Sequence, residues 1–119
     1  MNTTMTVSEA LLTIGVPAHI KGFDYILCAV EAVQKEHLLM HRIVNGLYPL
    51  VAERFNTTPL RVERGIRHGI TNIIVRDRLQ RVNEVLGCTV FTEKDRPTNG
   101  ELIALLARYC RPDAEDVTG

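Results

Sequence analysis

Between Leu60 and Thr71 the sequence LRVERGIRHGIT sets Arg61, Arg64, Arg67 and His68 three or four residues apart or side by side, with Glu63 among them. Spacings of three and four bring side chains onto one face of an α-helix. With Val62 at zero and about 100° per residue, Val62, Ile66, Gly69, Ile70 and Ile73 share one arc of about 100°. Leu60, Arg64, Arg67, His68 and Thr71 fall on the opposite side, flanked by Arg61 and Glu63. The first arc is a core face. The second carries chemistry suited to base edges. An arginine donates two hydrogen bonds to the O6 and N7 of guanine, and a carboxylate accepts from the N4 amino group of cytosine. These residues occupy the N-terminal half of the helix, the half that enters the major groove in helical DNA readers. The same spacing also fits a solvated charged face, in which Glu63 pairs with Arg67 one turn on.

Two further segments offer anion chemistry. His19-Ile20-Lys21-Gly22 precedes an expected helix, and its lysine and the helix N-terminus suit a phosphate; a plain turn fits the same residues. Arg96-Pro97-Thr98-Asn99 repeats that arrangement before the last helix. Other chemistries find little support. His37 and His41 have metal-ligand spacing but no third ligand at a fitting position, so no metal and no cofactor is expected. There is no GxGxxG, no P-loop and no Ser/His/Asp set, so an enzyme is not expected. Cys28, Cys88 and Cys110 form no CxxC pair and read as free, buried thiols.

Positioning the arginine-bearing face requires a scaffold, and the scaffold reads as all-α. Strand signals are nearly absent. Val7–Ile14 reads as a short amphipathic helix closed by Gly15 and Pro17. Gly22 to Glu36 has one buried face, from Tyr25 and Ile26 to Val33. Leu38 to Tyr48 is helical by pattern, and Pro49 either kinks it or opens a new helix. Pro49–Phe55, the turn Asn56-Thr57-Thr58-Pro59 with threonine at the N-cap and proline at N1, and Leu60–Val75 read as a helix-turn-helix spanning Leu47 to Thr71. Leu79–Leu86, ended by Gly87, and Gly100–Tyr109, capped by Thr98 and Asn99, complete a compact bundle of about six or seven helices. Gly65 and Gly69 inside the arginine helix each cost about 0.8–1 kcal/mol relative to alanine. Gly69 lies on the buried arc and allows a neighbour to approach.

The chain of 119 residues is most simply one domain, and 45% hydrophobic residues suffice for one core. No apolar run approaches the roughly 20 residues that span a bilayer, so no membrane partner is expected. The N-terminus lacks a secretory pattern, and a cytoplasmic location is expected. Net charge is zero, but from Glu53 to Arg81 seven arginines face three acids, a local +4. Asp113, Glu115 and Asp116 make residues 111–119 an acidic tail expected to fray. A basic segment in a neutral chain points to a local anion-binding surface.

Six segments add a resemblance. GVPAHIKGF (Gly15–Phe23), LYP (Leu47–Pro49), RFNTT (Arg54–Thr58), RVERGIRHGI (Arg61–Ile70), LGCTV (Leu86–Val90) and RPTNGELIALLA (Arg96–Ala107) occur in an order that resembles the C-terminal effector domain of the stage-zero sporulation response regulators, master transcription factors of endospore-forming bacteria. The resemblance covers about Ser8 to Tyr109. It implies a helical effector domain that binds a short GC-containing promoter box in double-stranded DNA. Glu63, Arg64 and Arg67 would read bases, with His68 beside them. Candidate backbone contacts are His19, Lys21, Thr57, Thr58, Arg61, Arg96, Thr98 and Asn99. It also implies head-to-tail dimers on tandem boxes and a contact with the RNA polymerase sigma subunit, at a surface in the position of Arg76–Glu84. The family's phosphoacceptor receiver is absent from these residues, so the expectation is an effector domain, excised or stand-alone, to which control by aspartyl phosphorylation and phosphorylation-driven dimerisation are not carried over. Gly65 and Gly69 stand where the pattern has alanines, and Arg96 where it has lysine. The function expected is sequence-specific transcription regulation. The alternative is a stand-alone helical interaction module that modulates a full-length regulator or RNA polymerase.

Overall fold

The computed structural model describes residues 5–75, 83–84, 87 and 97–113. Among them the fold is all-α, with five α-helices: α1 (Val7–Ile14), α2 (Lys21–Lys35), α3 (Tyr48–Arg54), α4 (Pro59–Val75) and α5 (Asn99–Tyr109). The expected count of six or seven is therefore not met within these residues. One reason is that the expected helix Leu79–Leu86 falls almost wholly outside them. The other is that the continuous helix expected over Leu38–Tyr48 does not form. A 3-10 turn (His37–His41) and a π turn (Ile43–Leu47) replace it, separated by Arg42 at φ −140°. Ile43, Val44, Asn45 and Gly46 are weak helix formers, so burial of Leu39 and Leu47 decides the path of the chain there. In the 3-10 turn His37 and His41 no longer share a face, because about three residues complete a turn.

Helix ends follow local chemistry. Thr6 and Glu9 form a reciprocal capping box at the start of α1, and Thr98 and Glu101 form the same device before α5. Gly15 ends α1 at φ 102°, a left-handed conformation that glycine adopts without strain. Pro49 sits in the first turn of α3, so it opens that helix rather than kinking one. Arg111 to Asp113 follow α5 and return to α1. The Val7 N–H donates to the Arg111 carbonyl at 3.2 Å, the Arg111 N–H donates to the Met5 carbonyl at 3.0 Å, and Ser8 donates to the Asp113 carboxylate through both its N–H and its hydroxyl. The first part of the acidic tail is thus tied to the start of the chain, and residues 114–119 lie outside the description.

The core is apolar throughout the described residues, with no buried charged or polar side chain. α2 is its centre and packs most extensively against α4 and α5. Val62, Ile66, Ile70 and Ile73 of α4 are buried, as their spacing predicts. The crossing of α2 and α4 is very close. A Cβ on Gly22 would fall on the carbonyl oxygen of Gly65, and a Cβ on Gly65 would come within 2.7 Å of the Tyr25 ring. Gly69 faces Ile26 and Val16. Gly22 in the first turn of α2 and two glycines inside α4 therefore set how near the arginine helix lies to the scaffold.

Candidate nucleic-acid interface

The turn between α3 and α4 sets the direction of the arginine helix. Phe55 closes α3 and Asn56 takes the left-handed conformation, φ 54°. The Thr57 N–H then donates to the Ala52 carbonyl at 2.9 Å and the Asn56 N–H to the Glu53 carbonyl at 3.3 Å. This is a Schellman stop with asparagine at the position glycine usually fills. Thr58 restarts the helix: its Oγ1 accepts from the Arg61 N–H at 3.2 Å, and its carbonyl accepts from Val62. Pro59 occupies the first helical position. Phe55 packs its ring edgewise on Tyr25 of α2, with centroids 5.4 Å apart, and so fastens the turn to the scaffold.

Along α4, Leu60, Arg61, Arg64, Arg67, His68 and Thr71 are all exposed and form a crest opposite the buried stripe. Glu63 is partly exposed beside it and pairs with Arg67 at 3.0 Å. That is the pair the solvated-face reading anticipates. An exposed pair one turn apart is worth only about 0.3–0.5 kcal/mol, too little to hold either group against a better partner. Thr71 and Asn72 donate to the carbonyls of Arg67 and His68, both at 3.0 Å, which seats them along the helix backbone. Among the described residues, the side chains of Arg64 and His68 make no hydrogen bond or ion pair.

A cleft opens on each flank of the crest. On the Arg61 flank, Lys21, Asp24, Tyr25, Phe55, Asn56, Thr57 and Arg61 line a hollow of about 320 Å³. It brings together Lys21, Thr57 and Arg61, three of the expected phosphate contacts, from three different elements. Ile20 precedes α2 without a side-chain cap; the Phe23 N–H donates to the Ile20 carbonyl at 3.1 Å, and the N–H groups of Lys21 and Gly22 are left without a side-chain acceptor. His19 is exposed two residues earlier, outside this lining, and Thr58 lies beside it at the cap of α4.

On the other flank, Glu63, Arg67 and Thr71 face Pro97, Thr98, Asn99 and Gly100 across a groove floored by Ile43, Val44, Tyr48 and Ile70. Asn99 closes its base. Its Nδ2 donates to the Tyr48 hydroxyl and to the Glu63 carbonyl, both at 3.1 Å. Both amide hydrogens are thus used within the protein, and Asn99 joins the start of α5 to α3 and α4. Burial pushes the Tyr48 phenol above its usual range, while the hydrogen bond from Asn99 pulls it back. Thr98 Oγ1 accepts from the Glu101 N–H at 3.1 Å, so its hydroxyl serves as a helix cap. Arg96 and nearly all of Arg76–Glu84, the segment expected to meet the sigma subunit, lie outside the described residues.

Tyr25 is legible in the sequence as a buried position, but its contacts with Phe55 and Gly65, the Tyr48–Asn99 hydrogen bond and the close approach at Gly22 are not. The glycines were the available signal. A glycine at the start of α2 and two inside α4 have a common cause when the helices cross at backbone distance.

An exposed cationic helix crest on an all-α scaffold, with an anion-compatible cleft beside it, is a surface suited to a polyanion such as DNA. Residues 7–110 match the family model described as "Sporulation initiation factor Spo0A C terminal", and the chain belongs to that family. The family is one of DNA-binding effector domains that regulate transcription in sporulation, and it is not a family of enzymes. Among the described residues no group of His, Cys, Asp and Glu is placed to hold a metal ion, and no helix is long and apolar enough to cross a membrane.

Proposed function

We propose that α3, its turn and α4 act as a helix-turn-helix, and that α4 reads a specific sequence in the major groove of promoter DNA. The supporting observation is the crest itself. Among the described residues Arg64 and His68 are exposed and uncommitted, Arg67 is held by a weak surface pair, and all three stand on a helix packed closely at the glycine crossing. Glu63, Arg64 and Arg67 are the base readers in this reading, with His68 beside them. Lys21, Arg61 and the Thr57–Thr58 turn hold one strand's phosphates, with His19 near them. Thr98 and Arg96 hold phosphates on the other flank, beside the capped start of α5, and Asn99 keeps that flank in register with α4. Head-to-tail pairing on tandem boxes rests on family membership. It is read as two copies bound per tandem site.

The test is a salt titration on a duplex recovered from random oligonucleotides by selection with this protein. Neutralising several phosphates makes log K fall linearly with log salt, with a slope of about −0.9 per phosphate contact. The reading expects a steep slope together with failure of random duplex to displace the selected one. Salt-independent binding, or equal competition by random DNA, would contradict it.

A further inference from the structure

The crest contains one residue that neither its charge nor the fold accounts for. Leu60 is in the first turn of α4 and is 53% exposed. It belongs neither to the core nor to the partly buried residues packed against the core. On the helix it stands one turn before Arg64, in line with Thr71 and between Arg67 and His68 in angle. Among the described residues it is the crest's one aliphatic side chain. Of the other exposed apolar residues, Leu12, Leu38, Val44 and Leu50 lie on different elements, and Phe55 is partly occupied by Tyr25.

We infer that Leu60 reads the C5-methyl group of a thymine, an inference that rests on the DNA reading above. The surroundings select the partner. Arg61, Arg64, Arg67 and His68 crowd the same surface, and burying them in an apolar protein groove or in lipid would strip their hydration without compensation. A polyanion supplies that compensation. Within a major groove, the apolar group that a base pair presents is the thymine methyl. The first turn of a reading helix is also the part that lies close to base edges. Arg61, on one side of Leu60, points to the cleft shared with Lys21 and Thr57, and Glu63 and Arg67 border the opposite groove. Leu60 therefore stands between the two backbone-facing flanks, where the floor of the groove would lie. Burying one methyl group is worth about 0.8 kcal/mol, or about fourfold in affinity.

The experiment uses the selected duplex, with each thymine replaced in turn by uracil, which removes only the methyl. Affinities are measured for the full chain, for Leu60→Ala and for Arg64→Ala, with thermal melting as a check on folding. The expected result is one position where uracil weakens the unaltered protein about fourfold. Leu60→Ala binds the thymine duplex about fourfold more weakly and is indifferent to uracil at that position, whereas Arg64→Ala keeps the sensitivity. Indifference of the unaltered protein to uracil at every thymine, or retained sensitivity in Leu60→Ala, overturns the inference while specific binding stands. Equal affinity for selected and random duplexes overturns the DNA reading and this inference with it.

Discussion

The two sides of α4 work by opposite means. Toward α2 the helix is defined by missing side chains: Gly65 and Gly69 let Gly22, Tyr25, Ile26 and Val16 approach to backbone distance. Away from α2 it is defined by long ones, with Arg61, Arg64 and Arg67 extending into solvent. At the Gly22–Gly65 contact the packed side has no room for an added atom, and the open side has room to rearrange. One helix can thus be both a rigid beam and an adaptable contact surface. The contrast teaches that changes on the packed side should alter stability and binding together, whereas changes on the crest should alter binding alone.

Gly22→Ala is the strongest way to break that contrast. Its Cβ would meet the backbone oxygen of Gly65, which cannot rotate aside, so α2 and α4 must separate. A loss of about 3 kcal/mol is expected, seen as a Tm fall of roughly 10 °C or more, with DNA affinity falling in parallel. A fully stable variant would show that the crossing is looser than its geometry.

The hydrophobic core as a whole, which includes Cys28 and Cys110, also has a pH signature. Burial pushes the Cys110 thiol from an ordinary 9.0 to about 11, and raises Cys28 in the same direction. The folded state therefore keeps a proton that the unfolded chain releases. The stabilisation is complete below about pH 9 and is lost as pH rises toward 11, by about 2 kcal/mol in denaturant melts. Cys110→Ala should flatten the curve over that window. An unchanged slope would place the effect elsewhere.

Lys21→Ala tests the open side. The side chain is exposed, so melting should be unaffected. Affinity for selected and random duplexes should fall by one common factor, with the salt slope reduced by about 1. A loss confined to the selected duplex would make Lys21 a base reader instead. The smallest effect belongs to Gly69→Ala. Its Cβ would come within 3.2 Å of the Cδ1 of Ile26, the movable end of a side chain. The gain in helix propensity should exceed that strain and stabilise the protein by about 0.5 kcal/mol. Destabilisation would extend the rigidity of the Gly22 contact along the whole crossing.

Much of α4 is legible in the sequence because its period of 3.6 is unbroken. The buried Val62, Ile66, Ile70 and Ile73 and the exposed arginines are the two phases of one wave. The Thr58-Pro59 start is legible because cap chemistry is local. Asn56 is legible as a turn residue, but not as the left-handed stop, since that depends on α3 ending one residue earlier. The segment from His37 to Leu47 misleads because its apolar spacing mimics a helix while the weak propensity of Ile43 to Gly46 lets packing choose another path. The Gly22–Gly65 contact and the Asn99 bridge to Tyr48 and Glu63 join residues more than 30 positions apart. No periodicity in one chain encodes such a pairing. The return of Arg111 and Asp113 to α1 is hidden for the same reason, although the tail's charge is plain.

The central claim is that the open side of α4 reads bases rather than merely attracting a polyanion. Its most direct test is the affinity of Arg64→Ala for selected and random duplexes, measured at the same salt. The account predicts a loss of about 1–3 kcal/mol on the selected duplex, relaxed preference at one base pair, and unchanged melting. Equal losses on both duplexes would reduce Arg64 to a phosphate contact and contradict the claim.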